Sequence, residues 1–418
     1  LQLLEFEHRI GRIAACRLAL DGRFKTNNFG LQNFDPILEF VDRQCVERHA
    51  NLVDRHAAWG IVFHADLLKF TLGPLWRAIK MASMTIQDQM QAIEISEPGG
   101  PEVLKPISVP TPSPAPGEVL IAVAAAGVNG PDISQRQGAY PPPADSSPLP
   151  GLEVSGVVAA LGEGETRFAL GDEVVALCNG GGYAAYVAVP AGQVLPKPEN
   201  WSHIEAATLP ETFFTLQQTL VERAGLASGQ TVLIHGGSGG IGASAIQLCR
   251  LFGATAIATT SSAQKASYAQ SMGAAHTIDY TSEDFIERTK TLTEGRGADI
   301  VIDIVGGAYA NRNLKACAYG GHVIQLAIRG GAKAEINLGL VLMNALTLSG
   351  STLRPQPAAT KARFAQGLET RIWPAIQAGK IVPPRITCFP LKNAADAHRV
   401  MEAPDHYGKI VLTVGKDS

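Results

Sequence analysis

From residue 84 onward the chain alternates short apolar runs with polar turns, and the spacing of those runs changes along the way. Up to about Pro210 the runs at 91–95, 119–123, 154–158 and 171–175 are strand-length and separated by proline- and glycine-bearing turns. That pattern predicts a β-rich, partly barrel-like unit. From Glu211 to Gly350 the strand-like runs at 232–235, 256–260, 276–279, 300–304, 322–326 and 346–349 are separated by helix-length segments, as in an open parallel sheet. The tail from Ser351 is mixed in character and closes on a last strand at 409–414. The expected fold class is therefore α/β, a doubly wound parallel sheet of Rossmann type inserted into a β-rich domain. Its expected divisions are 84–210, 211–350 and a return to the first unit over 351–418.

Residues 1–83 break the pattern. They show no strand-helix alternation, yet hold four of the ten histidines and two of the four tryptophans. A short helix is expected at 67–81, broken at Gly73-Pro74. The chain starts at Leu1, and Met81 and Met84 precede the first strand. The expectation is an N-terminal extension outside the functional chain, or else an accessory segment. Its nearly balanced charge argues against an organelle transit peptide.

The segment with the most chemistry follows the run at 232–235. Gly237-Ser238-Gly239-Gly240-Ile241-Gly242 fits G-x-G-x-x-G, and Ala243 to Arg250 reads as a helix. Strand, glycine turn and helix in that order make a dinucleotide site, because glycine lets the backbone approach a pyrophosphate at the helix start. NAD sites usually place an acid about 20 residues on, for the ribose hydroxyls. Here no Asp or Glu occurs between Ala243 and Ile278; the second strand runs instead into Ser261, Ser262 and Lys265. Hydroxyls and a cation suit a 2′-phosphate, so the expected cofactor is NADPH. Otherwise Lys265 is an ordinary solvated lysine opening a helix.

Composition narrows the class. With 46% hydrophobic and 17% charged residues and a net charge of −3, nothing points to a nucleic-acid partner. No apolar run approaches the roughly 20 residues of a membrane-spanning helix. The six cysteines (Cys16, Cys45, Cys178, Cys249, Cys317, Cys388) include no CxxC pair, so they read as buried small hydrophobes in a reducing, cytoplasmic setting.

Several spaced segments resemble the medium-chain dehydrogenase/reductase superfamily, in its zinc-free quinone oxidoreductase (zeta-crystallin-like) branch. They are Ala126-Gly127-Val128-Asn129, Arg136-Gln137-Gly138-Ala139-Tyr140-Pro141-Pro142, Gly151-Leu152-Glu153-Val154-Ser155-Gly156, the turn from His235 to Gly242, and Gly408-Lys409-Ile410-Val411-Leu412. The resemblance spans Met84 to Ser418 and implies a GroES-like catalytic domain around the Rossmann insert. Zinc-dependent members carry cysteine and histidine where this chain has Asn129 and Leu152, neither a plausible zinc ligand, so no metal is expected. Gly130-Pro131-Asp132 replaces the bulkier or charged residue that follows the asparagine in many relatives.

The resemblance also implies site residues. Tyr140 and Asn129 are the catalytic candidates, as donors to a developing oxyanion; otherwise they are a loop anchor and a turn residue. Thr215, Ser238, Gly239, Gly240, Ile241, Ser261, Ser262, Lys265, Tyr280, Leu326, Ile328 and Lys409 are the cofactor candidates, with Thr215 alternatively a helix cap and Lys409 alternatively a surface lysine. The implied activity is NADPH-dependent reduction of quinones or related conjugated carbonyls by a homodimer, free of nucleic acid and membrane. The alternatives are an enoyl-thioester reductase of the same superfamily and a non-catalytic NADPH-binding, crystallin-like protein.

Overall fold

The computed structural model describes residues 86–144 and 146–415 of the 418-residue chain. The extension, the helix expected at 67–81, Met84, Cys16 and Cys45 lie outside the described residues. Strands β1 (Gln89–Ile95) and β2 (Leu104–Pro110) pair as an antiparallel ribbon. Strands β3 (Glu118–Val128), β4 (Glu153–Leu161), β5 (Glu173–Leu177), β6 (Tyr186–Pro190) and β7 (Val194–Pro196) pair antiparallel and begin a larger sheet. Helix α1 (Gly130–Arg136) leaves the end of β3, and helix α2 (Pro210–Leu216) carries the chain onward.

The second sheet is all parallel. Its strands are β8 (Thr231–Ile234), β9 (Thr255–Thr260), β10 (His276–Asp279), β11 (Ala298–Asp303), β12 (Cys317–Gln325) and β13 (Thr347–Gly350), in the order β10-β9-β8-β11-β12-β13. The order reverses between β8 and β11, and in such sheets ligands bind at the carboxyl ends of the strands at that switch. The four residues of β8 are all buried, as a central parallel strand covered on both faces requires. Helices α3 (Gly240–Phe252), α4 (Ala263–Ser271) and α5 (Tyr309–Ala316) follow β8, β9 and β11, and α6 (Leu338–Met343) precedes β13.

Helix α3 starts three residues before the expected Ala243, inside the glycine turn, with Gly239 as its N-cap. It ends at Gly253, whose left-handed φ of 74° lets its N–H reach back to the Arg250 carbonyl. Strand β12 starts at Cys317, five residues earlier than its apolar run, because Cys317 pairs with Ala298 ahead of a register shift. After helix α7 (Ala358–Arg371), strand β14 (Ile386–Pro390) and helix α8 (Ala394–Glu402), strand β15 (Lys409–Thr413) returns to the first sheet. There it pairs antiparallel with β3, Val411 opposite Gly127. Cys178 and Cys249 are buried as expected, but Cys388 is exposed, because β14 is the sheet's edge strand.

Candidate active site between the two sheets

The glycine turn rests on a closed polar network. His235, 1% exposed, follows β8 and places Nε2 2.8 Å from Asn313 Oδ1 and Nδ1 3.2 Å from Thr259 Oγ1. Asn313 donates its amide to Asp303 Oδ2 (2.8 Å), so its oxygen accepts from His235 and the Nε2 tautomer carries the proton. The Thr259 oxygen in turn accepts from Gly236 N (3.3 Å), fixing the entry to the turn. Burial holds the His235 pKa below its ordinary value, so the ring stays neutral there.

Above this network the turn is open to a ligand. Gly239 caps α3 without a side-chain bond, so the first amides of the helix have no partner within it. The Gly239 amide is spent on the Gly236 carbonyl (3.1 Å), so the cradle for an anionic group is formed by the amides that follow it, at Gly240 and Ile241, with Ser238 beside them. Ser261 directly follows β9, and Ser262 caps α4 by accepting from Lys265 N (3.3 Å). Lys265 reaches across to the Pro404 carbonyl, 2.6 Å from Nζ. Burial first, then Arg385, Lys265 and Arg329, lower the His406 pKa against the opposing charge of Asp405, so three cations and one acid meet around one loop. Tyr280 is exposed one strand over, its N–H on the Thr260 carbonyl (3.2 Å). Leu326 packs against the main core, while Ile328 is exposed past the end of β12. This cradle and its flanking cations fit a phosphate-bearing dinucleotide.

A second group of residues lies where β15, β3, β4 and α2 converge. Lys409 is 4% exposed and pairs with Glu153, which is fully buried. Lys409 also donates to Asn129 Oδ1 (2.7 Å), and Asn129 Nδ2 donates to Glu153 Oε1 (2.8 Å). Lys409 is therefore no surface lysine. Its stem underlies the glycine turn, since a Cβ on Gly240 would come within 2.7 Å of Lys409 Cδ. Gly408 N donates to the Ser238 carbonyl (2.8 Å), so the last strand holds the turn directly. Asn129 is buried, and of its two amide N–H groups one is given to Glu153 while the other has no partner among the described residues.

Asp132, fully buried, accepts from Asn129 N (2.8 Å) and Gly151 N (3.1 Å), and burial pushes its pKa up to about 6. Glu211 stands in the first turn of α2, and its amide donates to Glu153 Oε2 (2.9 Å). Thr215, one turn further on, does not cap the helix. Its hydroxyl bonds the Glu211 carbonyl at 2.7 Å. Tyr140 is partly buried, with the Arg354 guanidinium 5.9 Å from its ring centre; burial and the Glu211 charge push its hydroxyl pKa up. Leu152 is buried beside Glu153, and among the described residues no cluster of His, Cys, Asp or Glu is arranged to hold a metal.

The sequence candidates thus fall into two groups linked by Gly408-Lys409, with Tyr280 at the periphery. Sequence reasoning missed Glu153 as a partner for Lys409, and with it Glu211, Asp132, Arg329, Arg354 and Arg385. A signal for the first was present: a glutamate inside the apolar run Gly151-Leu152-Glu153-Val154 is stable when buried only with a cation, and Lys409 opens an equally apolar strand.

Residues 115–199 match the alcohol dehydrogenase GroES-like domain and residues 240–369 the zinc-binding dehydrogenase family. Over 331 residues the chain is 31% identical to a quinone oxidoreductase of Rattus norvegicus, covering 78% of this chain and 99% of that one. The chain belongs to the medium-chain dehydrogenase/reductase superfamily, in its zinc-free quinone oxidoreductase branch. Like other medium-chain reductases it is similar in structure to an Escherichia coli quinone oxidoreductase complexed with NADPH (29% identity, TM-score 0.70, 78% of this chain and 100% of that one). The JamJ enoyl reductase is also similar, at 27% identity and a TM-score of 0.70, with the same coverage. As a medium-chain reductase the protein is an oxidoreductase with a Rossmann sheet and a GroES-like domain. Among the described residues, no helix is long and apolar enough to cross a membrane.

Proposed function

We propose that the protein is an NADPH-dependent reductase of quinones and related conjugated carbonyls. The observation that carries this reading is the open glycine cradle beside Lys265, Arg329 and Arg385, with no carboxylate between Ala243 and Ile278 to repel a 2′-phosphate. Ser238, Gly239, Gly240 and Ile241 hold the pyrophosphate. Ser261, Ser262 and Lys265 hold the 2′-phosphate, with Tyr280 at the adenosine side and Thr215, Leu326 and Ile328 toward the nicotinamide. Lys409 acts from below, through its stem against Gly240. When bound, the reduced nicotinamide supplies a hydride. The chain's own residues orient the acceptor, and Tyr140 and the free N–H of Asn129 meet the charge that develops on its oxygen.

Turnover of 9,10-phenanthrenequinone with NADPH tests the reading; tight NADPH binding without turnover of any quinone or enone overturns it in favour of a binding protein. The likeness to an enoyl reductase supports a second reading, reduction of an enoyl thioester, which the same assay with an enoyl-CoA separates. Lys265→Ala is expected to raise KM for NADPH about ten- to a hundredfold, as one charged hydrogen bond to phosphate is lost, and to leave NADH nearly unaffected. Equal losses with both cofactors remove Lys265 from the phosphate site. The protein is further proposed to be a cytoplasmic homodimer: Leu338, Leu342 and Met343 of α6, with Tyr319 and Leu348 on β12 and edge strand β13, leave an apolar surface exposed on one chain.

A further inference from the structure

Glu211 is the one acid of the buried group whose carboxyl makes no hydrogen bond or ion pair among the described residues, and it is 9% exposed. Its neighbours all have partners: Glu153 has Lys409 and Asn129, and Asp132 has two backbone amides. Residues four apart share a helix face, so the Glu211 side chain stands on the same face of α2 as Thr215. The next residue, Thr212, packs beside Gly240 and receives a hydrogen bond from Ser244 Oγ (3.4 Å). The carboxyl also acts on the Tyr140 hydroxyl and the Arg354 guanidinium, each of which feels its charge. Neither carboxyl oxygen is among the fully buried side-chain atoms without a partner, so this largely buried acid keeps its carboxyl open to accessible space near the glycine turn and the candidate tyrosine, as a group that serves a ligand must.

We propose that Glu211 is the catalytic acid that protonates the substrate oxygen. The inference rests on the reading of the protein as a reductase of conjugated carbonyls. Once the acceptor has taken a hydride at carbon, its oxygen carries the negative charge. The O–H bond of Glu211 breaks, a new O–H bond forms on that oxygen, and the carboxylate recovers a proton from water. The nicotinamide is oxidised, the quinone or enone is reduced, and one solvent proton is consumed per turnover.

The surroundings suit a donor. Burial, then Glu153 on β4 and Asp132 on α1, push the Glu211 pKa up to about 8, against the opposing charges of Lys409 on β15 and Lys361 on α7. Tyr140, Arg354 and the buried thiol of Cys178 complete the facing groups. The acid form therefore prevails at neutral pH.

Two readouts test the proposal. In the protein without cofactor, infrared spectroscopy is expected to show a neutral carboxylic-acid band at pH 7 that fades through about pH 8 and is missing in Glu211→Gln. Unfolding gives the same information. Native Glu211 keeps its proton to about pH 8 while the unfolded chain loses it in the ordinary carboxylate range, so wild-type stability falls between those values relative to Glu211→Gln. With 9,10-phenanthrenequinone and NADPH, wild-type kcat is expected to fall above about pH 8. Glu211→Gln is expected to lose about a hundredfold or more in kcat, with KM for NADPH unchanged, and Glu211→Asp to recover part of it. If Glu211→Gln folds poorly, the wild-type band and the alkaline limb decide. A wild type that turns over quinone while Glu211→Gln keeps its kcat and alkaline limb overturns the proposal alone. A wild type inactive on every quinone and enone overturns the functional reading, and the proposal with it.

Discussion

Lys409→Met is expected to destabilise the protein by about 3–5 kcal/mol, the range for removing one partner of a buried ion pair. Glu153 is fully buried, and without Lys409 it keeps only the Asn129 amide and the Glu211 backbone N–H. Two neutral donors do not offset the transfer of a carboxylate out of water. The urea midpoint at pH 7 measures the loss. Adding Glu153→Gln in the same chain is expected to restore much of it, since the uncompensated charge goes with the second substitution. A double variant no more stable than Lys409→Met refutes the pairing argument. Because Lys409 also orients the Asn129 amide and underlies Gly240, Lys409→Met is expected to lose activity as well.

Gly242→Ala is expected to weaken NADPH binding more than tenfold and to lower stability by about 1–3 kcal/mol, the usual consequence of forcing a methyl group into packed structure. A Cβ at this position would overlap the Gly236 carbonyl oxygen and stand 2.7 Å from Gly237 Cα. Those atoms are backbone and do not rotate away. Relief requires the start of α3 to move off the turn, which displaces the amides of the anion cradle. Fluorescence titration with NADPH and thermal unfolding of the same sample separate the two effects. Unchanged NADPH affinity places the cofactor elsewhere.

The fold class was legible because it depends on periodicity. The six apolar runs between residues 232 and 349 each fall on a strand of the parallel sheet, and the run at 276–279 has the bounds of β10 itself. Errors arose where pairing overrides hydrophobicity: the start of β12 is broken by exposed Tyr319 and Gly320 and forms no apolar run, yet Cys317 pairs with Ala298. At the site, residues presented by the backbone of a local motif could be read from the chain. Residues whose role depends on a distant partner could not. Asp132 looks like an ordinary capping residue until Gly151 donates to it, and Arg385 is an isolated charge until Tyr407 stacks on it, 4.5 Å from the ring centre. Glu211 could not be singled out because its distinguishing property is the lack of a partner, which no spacing encodes.

The hold of the last strand on the glycine turn bears on the order in which the protein can be completed. Lys409 lies 280 positions after Asn129 and 256 after Glu153, and Gly408 reaches back to Ser238. During synthesis the β-rich unit and the glycine turn emerge long before the strand that joins them. Until then Glu153 sits in an apolar sheet without its cation, and closing so long a loop is slow. A nascent or truncated chain ending before Gly408 therefore has most of its core but neither a neutralised interior nor a secured turn.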